Sequence, residues 1–113
     1  MKARPLGYAG LVALILTLGA CGKESTDVAI GSASPLTGPQ AHIGIDIRNG
    51  VQLAIEDANA AGTEIGGKKV KFKLVAEDDE ANPTKATNVA QKLVDAKVAA
   101  VVGHFNSGAS IPA

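Results

Sequence analysis

Val98-Ala99-Ala100-Val101-Val102 is an unbroken apolar run, and Gly103-His104-Phe105-Asn106-Ser107-Gly108 follows it directly. A strand with one wet face alternates apolar and polar side chains. This run does not alternate, so it reads as a parallel strand covered on both faces by helices. Parallel strands are joined through crossovers, so its partners should lie upstream with helices between them. Val28–Ala33 is a brief strand of small and apolar residues stopped by Ser34-Pro35, and a loop rich in Pro and Gly runs on to Gly44. Ile47, Val51, Ala54 and Ala58 then recur at helical spacing, opposite a polar stripe of Asn49, Gln52, Glu56 and Asn59. Gly62 ends this amphipathic helix. Gly66-Gly67 turns into a second strand, Val70–Ala76, whose Lys71 and Lys73 mark it as an edge. Beyond the acidic stretch Glu77-Asp78-Asp79-Glu80, Asn82 and Pro83 suit the cap and first turn of a second helix. Ala86, Val89, Ala90, Leu93 and Val94 are its inward stripe.

The order is therefore βαβαβ, an α/β fold. Right-handed crossovers give a parallel sheet with strand order 2-1-3, and the lysine-bearing strand falls at its edge. Ligands of such sheets bind beyond the carboxyl ends of the strands, where loops run toward helix N-termini. Three loops converge there: Ser34–Gly44, Asp79–Pro83 and Gly103–Gly108. In the third, Ser107 opens a short helix expected over Ser107–Ile111. Its hydroxyl and the first-turn N–H groups are placed to receive an anion such as a carboxylate. The competing reading is that Ser107 only caps the helix. His104 and Asn106 share the loop and stand with Ser107 as candidate ligand-binding residues.

Sharper chemistry fails on inspection. Gly62-Thr63-Glu64-Ile65-Gly66-Gly67-Lys68 resembles a phosphate-binding loop, but Lys69 stands where Ser or Thr is required, and the segment runs from helix to strand. Asp78-Asp79 follows the second strand, not the first as in a phosphorylatable receiver, and reads as a solvated acidic loop. His42 and His104 have no close-spaced Cys, His or carboxylate partners, so no metal is expected. Ser107 lacks the Gly-x-Ser-x-Gly frame of a nucleophile elbow, and nothing calls for an enzyme or a cofactor.

The N-terminus carries different information. Lys2 and Arg4 precede an apolar run, Leu6–Ala20, the layout of a secretion signal. The run is shorter than the roughly 17–25 residues of a membrane-crossing helix. Leu18-Gly19-Ala20-Cys21 resembles the bacterial lipobox, which implies a signal peptide over residues 1–20 and a lipid on Cys21, the only cysteine. The expected product is an exported lipoprotein anchored at the membrane surface, facing the periplasm or the cell exterior, with residues 21–27 as tether. About 90 residues remain beyond Ala20, with nine Lys and Arg against eleven Asp and Glu. That balance, without Trp and without a basic stripe, argues against nucleic acid. A chain this short has little surface to bury and little margin of stability.

Together Val28-Ala29-Ile30-Gly31-Ser32-Ala33-Ser34-Pro35-Leu36-Thr37-Gly38-Pro39, Gly50–Asn59, Gly66-Gly67-Lys68, Asp78-Asp79, Pro83 and Gly103-His104 resemble the start of the leucine/isoleucine/valine-binding proteins. These are type I periplasmic receptors of branched-chain amino acid ABC transporters. The resemblance implies a two-lobed receptor that closes on an amino acid and delivers it to an inner-membrane ABC permease. Ser107 matches the family serine that hydrogen-bonds the ligand's α-carboxylate. Ile43 stands where an aromatic residue often lies near the ligand. Ala81 and Asn106 stand where some relatives have a disulfide between the acidic and third-strand loops. Residues 28–113 would be the beginning of the first lobe, an N-terminal fragment that stops at the start of its third helix. The alternatives are a receptor for amides, urea or another small solute, and an exported ligand-sensing domain; a neighbouring permease or kinase gene would discriminate transport from sensing.

Overall fold

The computed structural model describes residues 26–113. The expected signal over residues 1–20, Cys21 and tether residues 22–25 lie outside the described residues. The last two tether positions, Thr26 and Asp27, belong to the first strand. The elements are β1 (Thr26–Ser34), α1 (Ala41–Ala61), β2 (Glu64–Ile65), β3 (Lys68–Asp78), α2 (Pro83–Asp95), β4 (Ala100–Gly103) and α3 (Ser107–Ser110).

The sheet order is β2-β3-β1-β4. The parallel part, β3-β1-β4, is the expected 2-1-3 order, with β1 paired to β3 from Thr26↔Val70 to Ser34↔Asp78 and to β4 from Ile30↔Ala100 to Ala33↔Gly103. The two-residue β2 is an addition, antiparallel to Lys68 and Lys69. Gly66 and Gly67 have φ of 58° and 75°, which makes the tight two-residue hairpin turn that a pair of glycines favours. The lysine strand is therefore not outermost along its whole length. Its open edge is also covered at Phe72, whose N–H donates to Asn59 Oδ1 (2.8 Å) while its carbonyl accepts from Asn59 Nδ2 (2.9 Å). Asn59 thus leaves the solvent stripe in which its spacing put it and acts as a strand substitute.

α1 begins at Ala41, earlier than the Pro- and Gly-rich loop suggested. Gly44 is the reason: a Cβ there would lie 1.9 Å from the Pro35 carbonyl oxygen, so the first turn can close against the chain only with glycine. Ser34 Oγ then donates to the Gly44 carbonyl (3.1 Å). At the other end Gly62, at φ 70°, takes the left-handed position that terminates the helix.

α2 packs on the opposite side of the sheet. Val89 and Leu93 join Ala33, Val75 and Val98 in the core, and Gly31 leaves room for Leu93 at the centre of the sheet. Ala86 is buried as expected, but Val94 is 67% exposed, because the helix turns it past the sheet. Asn82 accepts from Lys85 N–H (3.1 Å) ahead of Pro83, the expected cap. The expectation for β4 needs correction: Val101 and Val102 are 47% and 45% exposed, not covered. Val102 faces an apolar groove of about 470 Å³ with Ile30, Ile47, Val51 and Phe72, and Val101 faces one of about 430 Å³ with Leu93, Val94 and Val98. Both faces of β4 are apolar, as its sequence indicated, and both remain open.

Candidate functional site

The carboxyl ends of β1, β3 and β4 lie side by side, and the loops leaving them meet. The acidic pair is what joins them. Asp78 Oδ1 accepts from the N–H groups of Leu36 (2.8 Å) and Glu80 (2.9 Å), and its Oδ2 from the Thr37 hydroxyl (2.6 Å). Burial alone would raise this carboxyl; the hydrogen bonds from Thr37 Oγ1 and from the N–H groups of Glu80, Leu36 and Thr37 outweigh it and hold the pKa below its ordinary value. Asp79 is fully buried, not solvated as the acidic run suggested. Its Oδ1 accepts from Ala81 N–H (2.8 Å) and its Oδ2 lies 2.6 Å from His104 Nδ1. A carboxylate only accepts, so the ring nitrogen donates. The His104 side chain is 5% exposed. Removing either partner leaves a buried polar group of the other without its hydrogen bond, at about 1–3 kcal/mol.

His104 is thus brought to the site turned inward, holding the loop. Asn106 is the N-cap of α3 and makes no side-chain cap bond; its Oδ1 is buried without a partner among the described residues, as are Gln40 Oε1 and Ser32 Oγ. Its carbonyl accepts from Ala109 and Ser110 N–H (2.9 and 3.0 Å), which leaves the N–H groups of Ser107 and Gly108 ahead of the turn without intrahelical partners. Ser107 is exposed at the first helical position and is not the cap. Ser110 Oγ donates to the His104 carbonyl (3.0 Å), bracing the loop from behind. Ile43 is half-buried in the first turn of α1. Ser107, Asn106 and Ile43 line neither of the two apolar grooves beside β4. Asp78, Asp79 and Thr37 were missed as site-building residues. The signal available was that Asp78-Asp79 falls where β3 ends among the converging loops.

Among the described residues no three His, Cys, Asp or Glu side chains are grouped to hold a metal ion. Ser107 and Gly108 are exposed at the start of α3, and the His104–Asp79 pair that ties their loop to β3 is buried.

Residues 27–113 match the family described as periplasmic binding protein. The chain is 44% identical over 91 residues to the Leu/Ile/Val-binding protein homolog 2 of Brucella abortus (strain 2308), covering 80% of this chain and 24% of that protein. Its structure is similar to that of the branched-chain amino acid transporter substrate binding protein LivJ from Streptococcus pneumoniae in complex with isoleucine, with TM-score 0.68 and 35% identity over 77% of this chain and 24% of that one. It is also similar to a solute binding protein of an ABC transporter from Rhodopseudomonas palustris BisB5 in complex with 3,4-dihydroxy benzoic acid, with TM-score 0.62 and 31% identity over 76% of this chain and 23% of that one. The chain spans about a quarter of the length of these relatives. By sequence pattern and by fold, it belongs to the periplasmic binding protein family, and its α/β unit corresponds to the first lobe of a type I member.

Proposed function

We propose that this chain supplies part of the first lobe of an extracytoplasmic substrate-binding receptor for branched-chain or related amino acids, working with an ABC permease. Ser107 carries the reading. Its exposed hydroxyl and the N–H groups of Ser107 and Gly108 are the donors offered to a ligand α-carboxylate, with Asn106 beside them; the family resemblance adds Ile43 on the side of the ligand side chain. The two solved relatives named above support the carboxylate: isoleucine and a dihydroxybenzoic acid have little in common except that group. The second of them also favours an alternative ligand class, an aromatic carboxylate. Export and anchoring through a lipidated Cys21 complete the proposal. Incorporation of a labelled fatty acid by the wild-type chain but not by Cys21→Ser tests the anchor, and equal incorporation by both rules it out.

The test of the site is a titration of the ¹⁵N-labelled chain with L-leucine, benzoate and acetamide, followed at the amides of Asn106–Gly108. Leucine is expected to move these amides and Ser107→Ala to weaken the response at least about tenfold, since the hydroxyl is lost but both N–H donors remain. A response to acetamide alone would replace the carboxylate reading with the amide one, and a response to benzoate stronger than to leucine would favour the aromatic class.

A further inference from the structure

Asp78 and Asp79 are consecutive, yet their carboxylates serve different loops. Asp78 takes donors from Leu36 and Thr37 after β1; Asp79 takes the His104 ring after β4. Each also accepts from a main-chain N–H in the turn that follows, Asp78 from Glu80 and Asp79 from Ala81. Glu80 and Ala81 have φ of 50° and 56°, a region that side chains with a Cβ disfavour. Such backbone persists only where its surroundings hold it.

We propose that Asp78-Asp79 is a two-way clamp that positions the ligand loops, Asp78 setting Leu36 and Thr37 ahead of α1 and Ile43, and Asp79, through His104, setting Asn106 and Ser107. The clamp rests on the reading of Ser107 as a carboxylate ligand and deepens it. Both aspartates are positioning residues. All four of their carboxylate oxygens are engaged by loop donors or the His104 ring, which ties their acceptor capacity to the scaffold and not to an incoming donor such as an ammonium group. A packing role alone would be met by an apolar residue and would not require each carboxylate to serve a separate loop. The end of a paired strand is also a more rigid platform for a ligand group than the loop itself.

Backbone order parameters of the ¹⁵N-labelled full chain in detergent test the clamp. Asp79→Ala is expected to lower the values at Asn106 and Ser107 from about 0.85 to below about 0.6 and leave Leu36 and Thr37 rigid; Asp78→Ala is expected to do the reverse. If both loops and α2 loosen together in either variant, the role is general stability and the proposal is overturned. A rigid Ser107 in Asp79→Ala overturns it as well. Asp79→Asn keeps the volume but presents an amide donor, so His104 Nδ1 is expected to change from donor to acceptor with Ser107 still ordered. Imidazole ¹⁵N shifts read that change, and an unchanged ring overturns the Asp79–His104 arm even if Asp79→Ala does not fold. With L-leucine as probe, Asp79→Ala is expected to weaken the response at Ser107 at least about tenfold, the scale of one lost hydrogen bond to a charged group. A tenfold or greater loss with both loops still rigid overturns the clamp. A wild-type chain that ignores leucine overturns the carboxylate reading, while the order parameters still decide the clamp.

Discussion

Gly103 joins the last strand to the ligand loop at a point where no side chain fits. Its φ is 137°, and an added Cβ would lie 2.0 Å from the Ala33 carbonyl oxygen across the sheet. Gly103→Ala is expected to cost at least about 2 kcal/mol, from backbone strain and forced separation of β1 and β4, measured by urea unfolding. Asp78 sets the acid sensitivity of the neighbouring loop. Its pKa in the fold lies below the ordinary 3.8, so folding favours the ionised form. The stability it contributes is present above that ordinary value and is lost as pH falls through the lower folded value. Unfolding midpoints taken between about pH 5 and pH 2 should fall for the wild type and fall less for Asp78→Asn. Equal slopes would show that the Leu36–Thr37 bonds add nothing to the folded state.

Among the elements, α2 is the one most completely written in its own residues. Asn82 caps it, Pro83 opens it, and Ala86, Val89 and Leu93 face the sheet at helical spacing. Its C-terminus is less well served. Lys97 occupies the left-handed position, φ 55°, where its N–H bonds the Val94 carbonyl, and it is exposed. Glycine belongs in such a position. Lys97→Gly is expected to stabilise the chain by about 1 kcal/mol, raising the midpoint of thermal unfolding by roughly 4–8 °C. No rise in a melting curve would mean that the lysine side chain contributes elsewhere what the backbone loses. α1 shows the opposite balance: its apolar stripe was legible, but its start at Ala41 depends on Pro35 packing against Gly44, a contact between separate elements.

For the whole molecule, the small core sets the margin. Among the described residues the buried hydrophobic core is Ala33, Ile55, Ala86, Val89, Leu93 and Ala109, half of them alanines. Leu93 is the largest and reaches from α2 to the sheet centre at Gly31. Leu93→Ala is expected to cost roughly 2–5 kcal/mol. Domains have only about 0.05–0.15 kcal/mol of stability per residue, so most of the cooperative transition should disappear from a thermal melt. A sharp transition close to that of the wild type would mean that the face opposite α2, not Leu93, holds the sheet.

The residues by themselves determined the order of the elements, the parallel 2-1-3 core and the convergence of three loops. They did so because burial repeats with the period of each element, and because Gly, Pro and Asn act where they stand. Only the tertiary structure decided that Asn59 completes the edge of β3, that Asp79 is buried against His104, and that Asp78 holds Leu36. These partners are 13, 25 and 42 positions apart. A polar residue has the same local signature whether water or a distant donor satisfies it, so periodicity reads each as exposed. The fold, by bringing strand ends and loops together, chooses the partner.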